Sequence, residues 1–462
     1  MSDNHDVMRD SLRHLLGNQD SNAIRTLLSE EHPMDILNYV RIFSTEDIIT
    51  IIRALPIRDQ ATLFGYFPHD IQVDMAQTMK RGDLIRIITN MSHDERADMF
   101  SSLSPEQQDA LLPGLAQAER EDIRKLAAYP EEQAGSAMTS DYATLLPDFT
   151  KEEAIAHLSK IAPETETIYQ AFVVNKERVL IGTISLRTLI LAKAGTRVEK
   201  IMIHDPIHVQ ADAPRADAVR LIADYDLMVL PVTDSGNKLV GIITHDDAMD
   251  VATAETTDDF HKLGGVSEMP PLKTGASTLT ASLKNASIFM LYRMRIFWLI
   301  LLVFGHSFSA AGIAYFEDII ASYVILVFFL PLLIGSGGNA GSQAATLMVR
   351  ALATGDVELR DWHRVIFREI FVAALLGLSM ALAVSFLGFY RGGWEIASVV
   401  AFSMVLIVLV GSLIGMTLPF ILSRLGLDPA TASAPLVTSL ADAVGVIIYF
   451  SIASTFLNLN MP

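Results

Sequence analysis

Read as a pattern of apolar and polar positions, the chain falls into three parts. The last holds five long apolar runs: Ile296 to Phe316, Ile319 to Val349 with a glycine-rich interruption, Ile370 to Tyr390, Ile396 to Leu422, and Pro435 to Leu457. A bilayer core about 30 Å thick takes roughly 20 apolar residues of helix, so these runs predict five membrane-spanning helices. From about Ala137 to Val251 the pattern switches to short strands alternating with helices. This stretch repeats: Phe172 to Leu189 aligns with Pro231 to Ala248 at an offset of 59, and Gly182 coincides with Gly241. Met1 to about Tyr129 carries apolar residues at three and four spacing, which predicts short helices. There Leu55, Leu63, Phe64 and Phe67 match Met91, Met99, Phe100 and Leu103 at an offset of 36, and those four match Leu103, Leu111, Leu112 and Leu115 at an offset of 12. Short helices stacked in this way form a solenoid-like module that serves as an interaction or regulatory surface.

The predicted class is multi-domain. An all-α superhelical N-terminal domain (1–130) is followed by an α/β pair of repeats (131–198 and 199–254). A connecting helix (255–283) then leads into an all-α five-helix transmembrane domain (284–462).

Charge sharpens this picture. Nine basic and nine acidic residues lie from Lys284 onward, so the net charge of −18 sits on the residues before it. A polyanion of this kind repels nucleic acid and anionic lipid and attracts cations. With no cysteine, disulfides, thiol catalysis and Cys-ligated zinc are excluded. The N-terminal MSDNHDVMRDSLRH carries no apolar run of a signal peptide, so the acidic half is expected in the cytosol. The positive-inside rule agrees. Lys284, Arg293 and Arg295 precede helix one, Arg350, Arg360, Arg364 and Arg368 lie between helices two and three, and Arg424 follows helix four. The opposite connections carry Glu317 and Asp318, or Arg391 and Glu395. An odd number of spans in the plasma (inner) membrane then puts the C-terminus outside.

Two features of the apolar part are energetically costly. Asp442 falls near the middle of the fifth run, where a carboxylate costs at least about 2.5 kcal/mol. It either faces a wet cavity or a cation, or is a structural Asp bonded to a neighbouring helix. Pro331 to Thr346 (PLLIGSGGNAGSQAAT) brings four glycines together with Asn339, Ser342 and Gln343. These either open the helix to offer carbonyl and amide oxygens, or let helices pack closely. Gly337, Gly338, Asn339, Gln343 and Pro435 are the candidate pore-lining residues. His306 reads as a packed or hydrogen-bonded histidine. Carboxylate, amide and carbonyl oxygens suit hard cations such as Mg²⁺ and Ca²⁺, and Mg²⁺ gives up its water reluctantly. One Asp per chain suffices for a hydrated ion if two chains share a pore, which requires a homodimer.

The repeat pair resembles tandem CBS domains, a regulatory module that often binds adenine nucleotides. The resemblance implies ribose binding through a Thr/Ser-x-x-Asp sequence after the glycine-containing strand. Thr244 and Asp247 match it, while the first repeat has Ser185 and Thr188 and so lacks the Asp. Acids crowd the second repeat: Asp224, Asp226, Asp246, Asp247, Asp250, Glu255, Asp258 and Asp259. Several share a helical face and repel unless a cation bridges them or water screens them.

The module order, with YPEEQAGSAMT from Tyr129, DYDLMVLPV from Asp224, PLLIGSGGNAGSQAATLMVRALATGD from Pro331 and LGLDPATASAPLVTSLADAVGVIIYF from Leu425, resembles the MgtE family of Mg²⁺ channels or transporters over nearly the whole chain. That resemblance implies a homodimer with a cytosolic Mg²⁺ sensor. It makes Asp442 the pore aspartate holding hydrated Mg²⁺ and Asp428 an acid near the cytosolic end of the pore. Asp226, Asp247, Asp250, Glu255, Asp258 and Asp259 match sensor positions, and Asp94, Glu95 and Asp98 are their partners in the N-terminal domain. Some members bind ATP in the CBS pair, which fits Thr244 and Asp247. The implied mechanism is feedback: Mg²⁺ bridges these acids and holds the pore shut, and its loss lets them repel. Two rivals remain, a membrane-anchored nucleotide sensor and a coupled carrier of another ion. No nucleophile–base set or P-loop points to an enzyme.

Overall fold

The computed structural model describes residues 2–266 and 287–457. It shows two compact units, one running from the N-terminus to Glu255 and one taking up at Thr256 and holding the apolar helices. The predicted connecting segment lies outside the described residues from 267 to 283. The helix that leads into it, His245–Leu263, starts inside the second repeat.

The N-terminal domain is a run of helices from Ser2–Gly17 to Gln117–Leu126, most of them only 7–10 residues long. Helices this short are marginal in water and depend on packing. Their starts are set locally. Asp20, Ser44 and Ser104 accept bonds from the backbone N–H groups of Ala23, Asp47 and Gln107. Pro56 and Pro68 stop one helix and begin the next. Helices pack against their next-but-one neighbours, as in a superhelix. Of the repeated apolar positions, Leu55, Leu63, Phe64, Phe67, Met91, Met99, Phe100, Leu103, Leu111 and Leu115 are all buried in one core, with Leu112 at its edge.

The repeats form two sheets. In the first, Tyr142–Leu145 runs parallel to Thr167–Val174, which pairs antiparallel with Leu180–Ser185 and, beyond it, Ile203–His204. The second repeats the arrangement with Val209–Gln210, Val229–Thr233 and Leu239–Thr244. Val173 pairs with Gly182 as Val232 pairs with Gly241. A side chain at either glycine would collide with a methionine: Met202 Sδ stands 2.6 Å from a Cβ placed at 182, and Met138 Sδ 2.5 Å from one at 241. The Leu180 and Leu239 N–H groups donate across to the Asn237 and Arg178 carbonyls, joining the repeats about a pseudo-twofold. The N-terminal domain is tied to this pair through a shared core in which Ala97 and Leu126 meet Ala134, Met138 and Ile243.

Helices Ile288–Tyr315, Ile325–Ala353, Trp362–Arg424 and Ala434–Phe456 are long and apolar enough to span a membrane. The third folds back at Gly393 (φ 72°), so the chain makes five apolar passes. The expected glycine-rich break in the second pass is absent: Ile325–Ala353 is one helix. The glycines serve close packing instead. A Cβ on Gly411 would run into the Gly337 carbonyl and one on Gly415 into that of Gly341, while one on Gly341 would stand 2.6 Å from the Gly411 oxygen. With no hydrophobic drive between helices in lipid, such backbone approach is what dispersion needs. Tyr449, fully buried, donates its hydroxyl to the Leu326 carbonyl at 2.9 Å and fixes the fifth pass on the second.

This packing predicts that Gly411→Val costs about 3 kcal/mol. Gly335→Ala, at a position with open space around it, should be silent. Thermal midpoints of the two variants in detergent check it, and equal midpoints would contradict it.

Candidate cation sites

Three groups of acids stand out, two of them in the membrane unit. Ser433 and Pro435 start the fifth pass, and Asp442 follows two turns later. Its side chain is 15% exposed, with Oδ2 3.7 Å from His306 Nε2 on the first pass. Asp442 Oδ1 has no hydrogen-bond partner. A Cβ at Gly338 would come within 3.3 Å of that oxygen and 2.7 Å of Thr438 Cγ2, so only glycine leaves the carboxylate room. Ser342 extends the polar line, 3.1 Å from the Thr438 hydroxyl. Asn339 and Gln343, four residues apart, lie on an exposed face of the second pass, and Pro435 is half-buried. Gly337 is buried against Ile407, so at that position the motif serves packing.

Nearer the chain's entry into this unit, Lys262 on the His245–Leu263 helix bonds both Asp258 and Asp428, the latter at 2.7 Å. Burial works against its charge, but the hydrogen bonds it donates to Asp258 and Asp428 more than offset this and raise its pKa. Asp428 also caps the Ala430 N–H at 2.8 Å. Asp259 is half-buried one residue along. Asp258 and Asp428 are therefore already bridged by a cation that belongs to the chain.

The third group lies between the N-terminal domain and the repeats. Asp94, Glu95 and Asp98 sit on the helix His93–Ser101. Burial first, then the charge of Asp94, pushes the half-buried Glu95 up to about 7 and the half-buried Asp247 up to about 8. The same causes act more weakly to raise Asp98 and Glu166, whose side chains still reach solvent. Asp246 and Glu166 add to the effect at Asp247, and Asp250 is raised by burial and by Asp246. Asp94 Oδ1 is buried without a hydrogen-bond partner. Thr244 donates its hydroxyl to Asp247 Oδ2. Glu255 is held away from this group by Arg215 Nε at 2.7 Å, and Asp226 is exposed at φ 50°. Beside the group, His93 touches Asp122, Ser140 and Asp141 at 2.8, 2.6 and 3.1 Å. Among the described residues no three acids or histidines already stand at metal-ligand spacing.

Sequence reasoning missed Glu166, His93, Asp122, Asp141 and Lys262. Each acts through a partner distant in the chain, and the one local signal is the i,i+4 spacing of Asp258 and Lys262.

The raised acids hold protons in the fold at pH values where the unfolded chain has released them. Their contribution to stability is therefore full at low pH and lost as pH rises through about 7–8. In chelator the thermal midpoint should fall between pH 6 and 8.5, and millimolar Mg²⁺ should remove most of that fall. A midpoint in chelator that ignores pH would contradict the cluster.

Comparison with known proteins agrees with this layout. Residues 330–452 match the family model described as a divalent cation transporter, 31–132 match the MgtE intracellular N domain, and 134–195 and 198–253 match the CBS domain. The chain is 37% identical over 450 residues to the magnesium transporter MgtE of Thermus thermophilus, covering 97% of this chain and 98% of that one. It is 29% identical to the Bacillus subtilis protein of the same name over 94% of each. Among solved structures, the cytosolic domain of the Mg²⁺ channel MgtE in complex with ATP is 34% identical, with a TM-score of 0.51 over 53% of this chain and 99% of that one. The soluble part of a magnesium transporter matches at 28% identity and TM-score 0.52, over 54% and 99%. The similarity runs from the helical N-terminal domain through the repeats to the apolar helices, and the chain belongs to the MgtE family of membrane transporters for divalent cations.

Proposed function

We propose that this chain carries Mg²⁺ into the cell through a pore shared by two copies, with Asp442 as the carboxylate that meets the hydrated ion. The observation that carries the reading is Asp442 itself, an acid within an apolar helix whose Oδ1 has no hydrogen-bond partner and for which Gly338 leaves space. Support for a second copy comes from the polar face bearing Asn339 and Gln343, which this chain leaves exposed at membrane depth. The basic connections support an acidic half in the cytosol and a C-terminus outside.

The same reading makes the soluble acids a sensor. At low Mg²⁺ Glu95 and Asp247 are partly protonated, and the remaining charges of Asp94, Glu95, Asp98, Asp247 and Asp250 repel. Cations that displace the protons and bridge these acids favour the closed arrangement. A millimolar site is worth about 4 kcal/mol, and moving an equilibrium from 1:99 to 99:1 takes about 5.5 kcal/mol, so a few such sites suffice. Release of the pore also has to break the Lys262 bridge to Asp428. ATP is the nucleotide proposed for the second repeat, supported by the Thr244–Asp247 pair and by the ATP complex of a relative's cytosolic domain.

Mg²⁺ entry into proteoliposomes tests the pore. Wild-type protein should take up Mg²⁺ and Asp442→Ala should lose at least tenfold of that flux. Full flux in the variant would remove Asp442 from the path. For the sensor, Asp247→Asn with Asp250→Asn should keep flux running at internal Mg²⁺ that silences wild type. Unchanged inhibition would show that these acids do not report cytosolic Mg²⁺.

A further inference from the structure

The first and fifth passes touch along a seam of fixed register. A Cβ at Gly305 would lie 3.4 Å from Ser439 Cβ, and one at Gly312 would lie 3.1 Å from Val446 Cγ1. Both contacts advance by seven residues on each helix, two turns, so the helices run side by side. This register sets His306 against Asp442, Nε2 to Oδ2 at 3.7 Å. The seam holds more polar atoms without partners. Ser309 Oγ, one turn beyond His306, and Ser439 Oγ, one turn before Asp442, are both buried with no hydrogen bond, as is Asp442 Oδ1.

An imidazole at this depth needs a reason. His306 is 56% exposed, and a histidine in a membrane helix belongs beside water or a partner charge rather than in hydrocarbon. A carboxylate alone suits a hard ion that passes with its water. Imidazole nitrogen suits late first-row ions, whose affinity for such sites rises from Mn²⁺ through Co²⁺ and Ni²⁺ to Cu²⁺. Bonds of about 2.0–2.2 Å on each side span up to about 4 Å. Two donors on one such ion stand about 3–3.4 Å apart, so a small side-chain rotation from the present 3.7 Å lets one ion bridge Nε2 and Oδ2 without moving either helix.

We propose that His306 is a specificity-determining residue of the cation path. It adds a nitrogen donor beside Asp442, so that Ni²⁺, Co²⁺ and Zn²⁺ exchange water for imidazole and are held where Mg²⁺ passes. The proposal rests on Asp442 being the pore carboxylate. Late transition ions are then blockers of Mg²⁺ flux, whereas Ca²⁺, which prefers oxygen, gains nothing from the imidazole.

Mg²⁺ entry into proteoliposomes is measured while external Ni²⁺ or Ca²⁺ is titrated, for wild type, His306→Gln and His306→Asn. Each curve is normalised to that variant's own Mg²⁺ flux. Half-block by Ni²⁺ should need at least tenfold more ion in both variants, with the Ca²⁺ curve unmoved. Superimposable Ni²⁺ curves overturn the proposal, and so do Ni²⁺ and Ca²⁺ curves that shift together. If a variant carries too little flux, visible absorption of Co²⁺ added to the purified full-length protein replaces it. A band weakened in His306→Gln and in Asp442→Asn supports the shared site, and identical spectra overturn it. Asp442→Ala separates the two levels. If it keeps full flux, the pore reading itself fails. If it is inactive while His306→Gln leaves the Ni²⁺ curve in place, only the role of His306 fails.

Discussion

Negative charge kept away from bulk water is the constraint around which the rest of this molecule is arranged. A carboxylate held in an apolar or crowded setting must find a proton, a cation or a donor, because leaving it bare costs several kcal/mol. The chain meets the demand in three ways. Lys262 supplies a tethered ammonium to Asp258 and Asp428. His306 faces Asp442. Between the N-terminal domain and the repeats Asp94 Oδ1 is buried without a hydrogen-bond partner, and Glu95 and Asp247 beside it hold on to protons toward neutral pH.

The scaffold around these charges is apolar and tightly packed, which makes their separations meaningful. Gly337 and Gly341 meet Gly411 and Gly415 backbone to backbone, locking the second pass onto the fourth. Tyr449 fixes the fifth onto the second. With those contacts in place Asp442 cannot drift from Gly338, and the first pass follows it through Gly305 and Gly312. In the soluble unit the shared core of Ala97, Leu126 and Met138 does the same for the acidic group, and His93 pins the edge between Asp122 and Asp141.

Much of this was legible in the residues. The five apolar passes announce themselves by length, since a membrane-spanning helix needs a run that few soluble helices contain. The two repeats show through their matched glycines, because a strand whose backbone meets a methionine sulfur leaves no room for a side chain. Asp442 is conspicuous because a charge in such a run is costly. The glycine-rich motif was ambiguous for a physical reason. Small residues both weaken a helix alone and strengthen a helix against a neighbour, and only the neighbour decides. In this chain Gly411 and Gly415 are that neighbour, so the helix stays whole.

The sequence by itself determined which elements exist, where the charge lies and which acid sits within the membrane part, because periodicity, length and composition are local properties. The tertiary structure alone decided which acids have partners. Glu255 belongs to Arg215, Asp428 to Lys262 and Asp442 stands by His306, across separations of 40, 166 and more than a hundred residues. Coulomb and hydrogen-bond energies depend on distance in space, and no local pattern encodes that distance. Glu166 carries no motif, yet the fold brings it beside Asp94, whose charge helps to raise its pKa.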